Sequence, residues 1–199
     1  MSAVAGVILG GGRATRMGGG DKALLPLGGT TILGEIIARL RPQIGDLAIN
    51  ANGDPARLDH FGLPILPDAF GTFEGPLAGV LTGLVWAEQR GAHALLTTAG
   101  DTPFLPADLV AEMAPSGGKA IIIAASGGHR HPTIALWPVA LRADLEHFLV
   151  SQPSRRVNDF INRHPHAEMA FAAADGDPFF NINTPDDLVE AQRRMEKRA

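Results

Sequence analysis

The chain has 199 residues, 45% of them hydrophobic and 19% charged, which indicates one ordinary globular domain and excludes a disordered or coiled-coil protein. Its 17 basic and 21 acidic residues give a formal net charge of -4, so the overall charge does not predict nucleic-acid binding. The sequence contains no cysteine and no tyrosine, which excludes disulfides, thiolate catalysis, cysteine-based metal sites and phenolic acid-base chemistry.

We expect a cytoplasmic protein that contacts neither membrane nor nucleic acid. A cysteine-free composition suits a reducing compartment, and the first nine residues have no basic segment of the kind that opens a secretion signal. The longest uncharged stretch, residues 75–87, is shorter than the roughly 20 apolar residues that a membrane-spanning helix needs.

The first half of the chain alternates apolar strands with helices. Val4 to Leu9 is a nearly continuous apolar run that ends in three glycines, which is typical of a parallel strand buried on both faces. From Ile32 to Leu40 the apolar residues recur at helical spacing, and Pro42 blocks continuation. We further predict strands at 46–52, 63–66 and 92–98, and a helix at 75–89 that is capped by Gly91.

The second half repeats this alternation. We predict helices at 106–113, 139–150 and 154–162, strands at 119–125, 133–137, 168–173 and 179–183, and a turn at Gly127 and Gly128. The last helix begins with Thr184 as N-cap, Pro185 at the first helical position and two aspartates in its first turn. The pattern predicts an α/β fold, in which one doubly wound, mostly parallel sheet carries helices on both faces within a single domain, 1–199.

The segment 9–22 is the most informative part of the sequence. Directly after the first strand it places six glycines together with Arg13, Arg16 and Lys22. Glycines let backbone N–H groups approach an anion closely and the cations supply charge, so the segment is expected to bind a phosphate chain. It matches neither the Walker A spacing nor Gly-x-Gly-x-x-Gly. A flexible surface loop is the alternative, but the presence of three cations in it would then be a coincidence.

This loop resembles the signature of a known enzyme family. Leu9-x-Gly11-Gly12-x-x-x-Arg16-Met17-Gly18, followed by Lys22, is similar to the loop of the MobA-type nucleotidyltransferases, the molybdenum cofactor guanylyltransferases. The family's further motifs follow in order as Asn50-Ala51-Asn52, Asp68, Gly75 to Gly79, Gly100 to Pro103, His131 to Thr133, Arg155-Arg156 and Asn181 to Pro185. The resemblance covers nearly the whole chain. It implies a Rossmann-like nucleotidyltransferase fold with a nucleotide-binding half at about 1–110 and an acceptor-binding half at about 111–199.

The residues themselves suggest a metal site at Asp101. Because Asp101 follows a predicted parallel strand, its carboxylate is expected at the sheet edge where ligands of such folds bind. Mg²⁺ often uses one or two carboxylates together with phosphate oxygens and water, so this aspartate would suffice as its protein ligand. The alternative is a turn or helix-capping aspartate before Pro103. The closely spaced histidines at 129, 131, 164 and 166 lack the further ligands that zinc would need.

Two further groups of residues are candidates for nucleotide binding. Asn50 and Asn52 point to the same face of a strand end, where their amides could read a base edge or could form a turn. The resemblance implies that Asn50 and Asp68 contact the guanine nucleotide. Gly79 belongs to a predicted helix start whose N–H groups face the same cleft, or that is packed there for structural reasons.

The acceptor candidates lie in the second half. Asn181 and Asn183 are predicted to share one strand face, and Arg156 lies at a helix start. The resemblance implies that these regions hold the pterin substrate, with Arg156 pairing with its terminal phosphate. A solvated arginine pair and a simple strand-to-helix turn are the alternatives.

The resemblance implies a complete reaction, the transfer of GMP from GTP to molybdopterin-bound molybdenum cofactor with release of pyrophosphate. Asp101 would hold Mg²⁺, Lys22 and Arg16 would stabilise developing charge, and the backbone of Leu9, Gly10, Gly11 and Gly12 would bind the nucleotide. Gly10 departs from the family's usual alanine, and Thr15 from its frequent serine. Molybdenum insertion proteins and apo-molybdoenzymes or their chaperones are implied as partners.

Other functions stay open from sequence. They are cytidylyl transfer to the same pterin, nucleotidyl transfer to a sugar or alcohol phosphate, and a non-catalytic GTP or molybdopterin carrier. A carrier needs no metal-held leaving group, so the presence of both Lys22 and Asp101 argues against it. Glycines at positions 11 and 12 favour GTP, because the loop of the cytidylyl relatives resembles Leu-Ala-Ala-Gly instead. Ser126 lacks the flanking glycines of a hydrolase nucleophile elbow.

Overall fold

The computed structural model describes residues 4–10, 21–68, 75–152, 154–174 and 176–197. The strands are β1 Val4–Leu9, β2 Pro26–Leu27, β3 Thr30–Thr31, β4 Asp46–Asn50, β5 Ile65–Leu66, β6 Ala94–Ala99, β7 Ile121–Ser126, β8 His129–Pro138 and β9 His166–Phe171. The α-helices are α1 Ile32–Leu40, α2 Pro76–Gln89, α3 Leu109–Gly117, α4 Arg142–Ser151, α5 Val157–Ile161 and α6 Pro185–Glu196. Short 3₁₀ helices cover Lys22–Leu24, Pro55–Phe61 and Val139–Leu141.

Seven strands form one sheet in the order β5-β4-β1-β6-β8-β7-β9, and β2 and β3 form a separate antiparallel pair. β8 runs antiparallel to its neighbours β6 and β7, while the other adjacent strands of the sheet are parallel. The carboxyl ends of β4, β1, β6, β7 and β9 therefore meet at one edge of the sheet, which we call the carboxyl edge.

Helices cover both faces of the sheet. α1, α3 and α6 pack with residues such as Ile8 on one face, and α2, α4 and α5 pack with residues such as Val7 on the other. Because neighbouring residues of β1 point to opposite faces and both faces are covered, Val7 and Ile8 are each buried. The predicted doubly wound, mostly parallel α/β sheet is confirmed.

Most predicted elements are present, several with shifted ends. β1 and α1 have the predicted bounds, and α2 begins one residue late because Gly75, at φ 92°, is its N-cap. α3 begins at Leu109 rather than 106, and α5 covers only Val157–Ile161 of the predicted 154–162. The predicted strand at 133–137 is the end of a longer strand, β8.

The predicted strand at 179–183 is wrong, because this segment forms no strand. Its backbone donors bond elsewhere: the Phe179 amide donates to the Asp177 carboxylate at 2.9 Å, and the Ile182 amide donates to the Asp101 carbonyl at 3.0 Å. Asn181 and Asn183 consequently do not share a strand face. Among the described residues, no helix is both long and apolar enough to cross a bilayer.

Candidate active site

Lys22, Asp101 and Asn183 meet at the carboxyl edge although they are far apart in sequence. The Lys22 ammonium donates to Asp101 Oδ2 at 2.6 Å and to Asn183 Oδ1 at 2.9 Å. The side chains of Lys22 and Asp101 are only 12% and 20% exposed, so water screens this ion pair less than it would a pair on the open surface. Opposite charges and an amide oxygen are thus held together at the edge where ligands of parallel sheets bind.

Asp21 and Arg57 hold the short turn that carries Lys22. Asp21 caps the 3₁₀ helix, because its Oδ1 accepts from the Ala23 amide at 3.2 Å. The Arg57 guanidinium donates to Asp21 Oδ2 at 2.9 Å and to the Asn52 carbonyl at 2.8 Å. An aspartate directly before a helical turn is a capping signal, and this is the signal in the sequence that points to Asp21. Nothing in the sequence distinguishes Arg57.

The close approach of two strand ends places Asp101. The Gly100 amide donates to the Leu9 carbonyl at 3.0 Å, and a Cβ on Gly100 would lie 2.9 Å from that same oxygen. Only glycine fits here without movement of the backbone. The Asp101 carboxylate therefore emerges beside the end of β1, as its position after a parallel strand predicts.

Asn183 is held by the beginning of α6. Thr184 and Asp187 form a reciprocal capping box, and the Asp187 carboxylate also accepts from the Asn183 amide at 2.9 Å. This hydrogen bond from Asn183 is the main reason why the pKa of Asp187 lies below its ordinary value. The Asn183 amide is thus bound to the beginning of α6, while its side chain reaches Lys22.

A second polar cluster follows β4 and β5. Asn50 Nδ2 donates to Asp68 Oδ1 at 2.9 Å, and Asn52 Nδ2 donates to Asp68 Oδ2 at 2.7 Å. The Asp68 amide in turn donates to Asn52 Oδ1 at 2.9 Å. Asn50 is buried and Asn52 is exposed, so the cluster extends from the interior to the surface. The predicted nucleotide residues Asn50 and Asp68 are therefore in contact.

Gly79 lies against this cluster. A Cβ on Gly79 would lie 2.3 Å from Asn50 Oδ1 and 2.8 Å from Leu9 Cδ2. The Gly10 amide donates to the Asn50 carbonyl at 2.8 Å, which brings the end of β1 to the same place. Leu9, Gly10, Asn50 and Gly79 are thus packed together.

The remaining candidates lie apart or outside the described residues. Arg156 is exposed and occupies the N-cap position of α5, and Asn181 is also exposed. Within the described part of the chain, neither is joined by a hydrogen bond or ion pair to Lys22 or Asp101. Gly11, Gly12 and Arg16 lie outside the described residues, so their predicted roles stay predictions.

Comparisons with known proteins identify the family and support the fold. Residues 6–168 match the family model of the MobA-like NTP transferase domain. A protein from Mesorhizobium japonicum named molybdenum cofactor guanylyltransferase is 53% identical, over 97% of this chain and 96% of its own. A protein of the same name from a Bradyrhizobium species is 48% identical, over 99% of this chain and 96% of its own. A crystal structure of molybdopterin-guanine dinucleotide biosynthesis protein A from Archaeoglobus fulgidus has the same fold, with a TM-score of 0.75 at 21% identity over 98% of this chain and 99% of its own.

Proposed function

Because the chain belongs to the MobA-like NTP transferase family, we propose that it transfers GMP from GTP to molybdopterin-bound molybdenum cofactor. This is a nucleotidyltransferase reaction of molybdenum cofactor biosynthesis that releases pyrophosphate. The observation that carries the proposal is the cluster of Lys22, Asp101 and Asn183 at the carboxyl edge. It supplies a cation for phosphates and an oxygen-donor pair for a metal ion in one place.

The cluster of Asn50, Asn52 and Asp68 would bind the guanine base. An ionised carboxylate can accept from both N1–H and the exocyclic amine of guanine, a donor pair that cytosine lacks. In the described structure the two Asp68 oxygens accept from the two asparagine amides, so the carboxylate is oriented before any base binds. The backbone of Leu9, Gly10, Gly11 and Gly12 and the helix start near Gly79 would bind the rest of the nucleotide.

In the reaction, a terminal phosphate oxygen of the acceptor forms a bond to the α-phosphorus of GTP. The bond from that phosphorus to the α,β-bridging oxygen breaks, and this oxygen leaves with pyrophosphate. The substrate is itself the nucleophile, so the protein needs only to align two anions and neutralise their charge. Lys22 would donate its third ammonium proton to a phosphate oxygen, and Arg16 would add a second cation.

The residues fit a single Mg²⁺ held mainly by substrate. Asp101 and Asn183 both offer oxygen atoms, the ligand type that Mg²⁺ prefers. Among the described residues, no group of three or more histidines and acids could hold a metal ion, so phosphates and water would complete its coordination. When bound, the ion neutralises phosphate charge.

Arg156, Asn181 and Asn183 would bind the acceptor. Arg156 would pair with its terminal phosphate, since a guanidinium recognises phosphate through paired hydrogen bonds. We place the reaction in the cytoplasm, with transfer of the product to apo-molybdoenzymes or their chaperones, and with molybdenum insertion proteins as further partners.

A competition assay tests the nucleotide. Purified protein, Mg²⁺ and molybdopterin are incubated with equal GTP and CTP, and the dinucleotide products and pyrophosphate are quantified. We expect a guanine preference of roughly 10⁴-fold or more, because a site built on hydrogen bonds leaves buried acceptors unpaired with the wrong base. A preference for CTP would assign the chain to cytidylyl transfer, and binding without pyrophosphate release would make it a carrier.

The Asp101→Ala variant tests the metal site. Turnover should be lost while the unfolding transition remains cooperative, because the carboxylate lies at the sheet edge and not in the core. Near-normal Mg²⁺-dependent activity in this variant would contradict the assignment.

A further inference from the structure

The segment 177–184, which carries Asn181 and Asn183, belongs to no strand or helix and is nevertheless held at several points. One of these points is Ser126, a buried residue at the end of β7 whose hydroxyl donates to Asp177 Oδ1 at 2.6 Å. The same Asp177 oxygen accepts from the Phe179 amide at 2.9 Å. The beginning of the segment is thus bound to the rigid sheet.

His131 completes this contact from β8. Its Nε2 lies 2.8 Å from Ser126 Oγ, and its ring packs on Phe179 at 4.8 Å between centroids. A register irregularity between Ile123 and Ala124 brings His131 opposite Ala124, on the same sheet face as Ser126. His131, Ser126 and Asp177 therefore form one continuous network.

The number of available protons decides which group donates and which accepts each hydrogen bond in this network. A serine hydroxyl has a single proton, which Ser126 gives to the Asp177 carboxylate, so towards His131 it can only accept. His131 must then carry a proton on Nε2. Burial lowers the pKa of His131 more than the negative charge of Asp177 raises it. The neutral imidazole with its proton on Nε2 gives each of the three groups a hydrogen-bond partner.

Arg194 of α6 holds the other side of the segment. Its guanidinium lies 4.2 Å from the ring centroid of Phe180 and donates to the Asp177 carbonyl at 3.3 Å. Further along, the Ile182 amide donates to the Asp101 carbonyl at 3.0 Å. The next residue is Asn183, whose amide oxygen accepts from Lys22.

We propose that Ser126, His131 and Asp177 are positioning residues that set Asn183 against Lys22 and Asp101. The inference rests on the proposed function, because it assigns these residues to the same nucleotidyl transfer. None of the three need touch substrate. Their effect passes through the segment 177–183, and the loss of any link lets Asn183 move away from the Lys22 ammonium.

The kinetic test is a double-mutant cycle between Ser126→Ala and Asn183→Ala. Ser126→Ala should lower kcat by about 10- to 100-fold, the cost of a small misplacement of a reacting group, and leave the Kd for GTP within about twofold. In the Asn183→Ala background the same substitution should change kcat by less than about twofold. Independent, multiplying effects of the two substitutions, or an unchanged kcat in Ser126→Ala, would overturn the proposal.

Matched variants separate positioning from general stability. Ser151→Ala removes a serine hydrogen bond on the surface, from the Ser151 hydroxyl to the His147 carbonyl at 2.7 Å on α4, and should leave kcat unchanged. If Ser126→Ala does not fold, Asp177→Ala takes its place in the cycle, because Asp177 is only half-buried. Asp177→Asn retains an accepting oxygen and should recover most of the rate that Asp177→Ala loses.

A measurement without substrate separates this proposal from the proposed function. In Ser126→Ala, hydrogen exchange of the Ile182 amide should accelerate by about tenfold or more, while the Gly100 amide exchanges as in the parent protein. An unchanged Ile182 amide would overturn the positioning role even if the parent protein is fully active. If the parent protein forms no guanine dinucleotide, the proposed function is contradicted. Hydrogen exchange of the Ile182 amide then still tests whether Ser126 holds the segment 177–183.

Discussion

Replacement of Gly79 by alanine provides a quantitative test of how Gly79 packs against the cluster of Asn50, Asn52 and Asp68. The added Cβ would lie 2.3 Å from Asn50 Oδ1 and 2.8 Å from Leu9 Cδ2, both well inside van der Waals contact. The Asn50 amide must therefore move, and it gives up its hydrogen bonds to the Leu66 carbonyl at 3.0 Å and to Asp68 at 2.9 Å.

The expected loss of stability is about 2 kcal/mol. Two hydrogen bonds are lost, at about 1 kcal/mol each. Strain against Leu9 adds about 1 kcal/mol, and the higher helix propensity of alanine returns about 1 kcal/mol. Urea unfolding measures the net change. The control is Gly45→Ala, where a Cβ would meet nothing within 4 Å, and it should stay within about 0.5 kcal/mol of the parent protein.

A second substitution identifies the source of the loss. In an Asn50→Ala background the closest clash is absent, so Gly79→Ala should then cost no more than about 0.5 kcal/mol. The binding of GTP and of CTP is measured in parallel. The preference for GTP over CTP should fall in Gly79→Ala, because Asn50 no longer orients Asp68. If Gly79→Ala is as stable as Gly45→Ala and selects GTP normally, the contact with Asn50 is not what requires glycine at position 79.

Three further predictions concern single side chains. Lys22→Ala should cost on the order of 2 to 4 kcal/mol of transition-state stabilisation, and an unchanged kcat/KM would refute its role. Arg156→Ala should weaken acceptor binding and spare GTP binding in separate titrations, whereas equal losses would contradict an acceptor role for this residue. The folded-state pKa of His131 lies below its ordinary value of 6.5, mainly because of burial. As the pH falls, His131 is therefore protonated at a higher pH in the unfolded chain than in the folded protein. The contribution of His131 to the free energy of unfolding should therefore be complete above pH 6.5 and should fall as the pH drops towards the folded-state pKa. Urea unfolding between about pH 5 and pH 7.5 should show a shallower decline in His131→Asn than in a His147→Asn control.

The apolar periodicity of the sequence was enough to predict most of the fold. β1 and α1 have the predicted ends because hydrophobic spacing and a following glycine or proline are local signals. The segment 179–183 has an apolar composition typical of a strand, but its amides bond to Asp177 and Asp101. No local pattern predicts that competition, because the bond from Ile182 to Asp101 joins residues distant in sequence.

The candidate site divides in the same way. Residue types at or directly after strand ends predicted Asp101 and Asn50 as candidate site residues, since a parallel sheet brings such positions to one edge. Arg57, Ser126 and Asp177 gave no signal, because their importance depends on partners that are brought near only by folding.

By itself, then, the sequence determined the alternation of strands and helices and the family resemblance, and it predicted phosphate binding by segment 9–22, all of which depend on neighbouring residues or on motif order. Only the tertiary structure decided that Lys22 donates to both Asp101 and Asn183, and that Asn50 and Asn52 share the Asp68 carboxylate. Hydrogen bonds act over about 3 Å, and side chains separated by 161 positions, as Lys22 and Asn183 are, come within that range only after the sheet and its helices have packed.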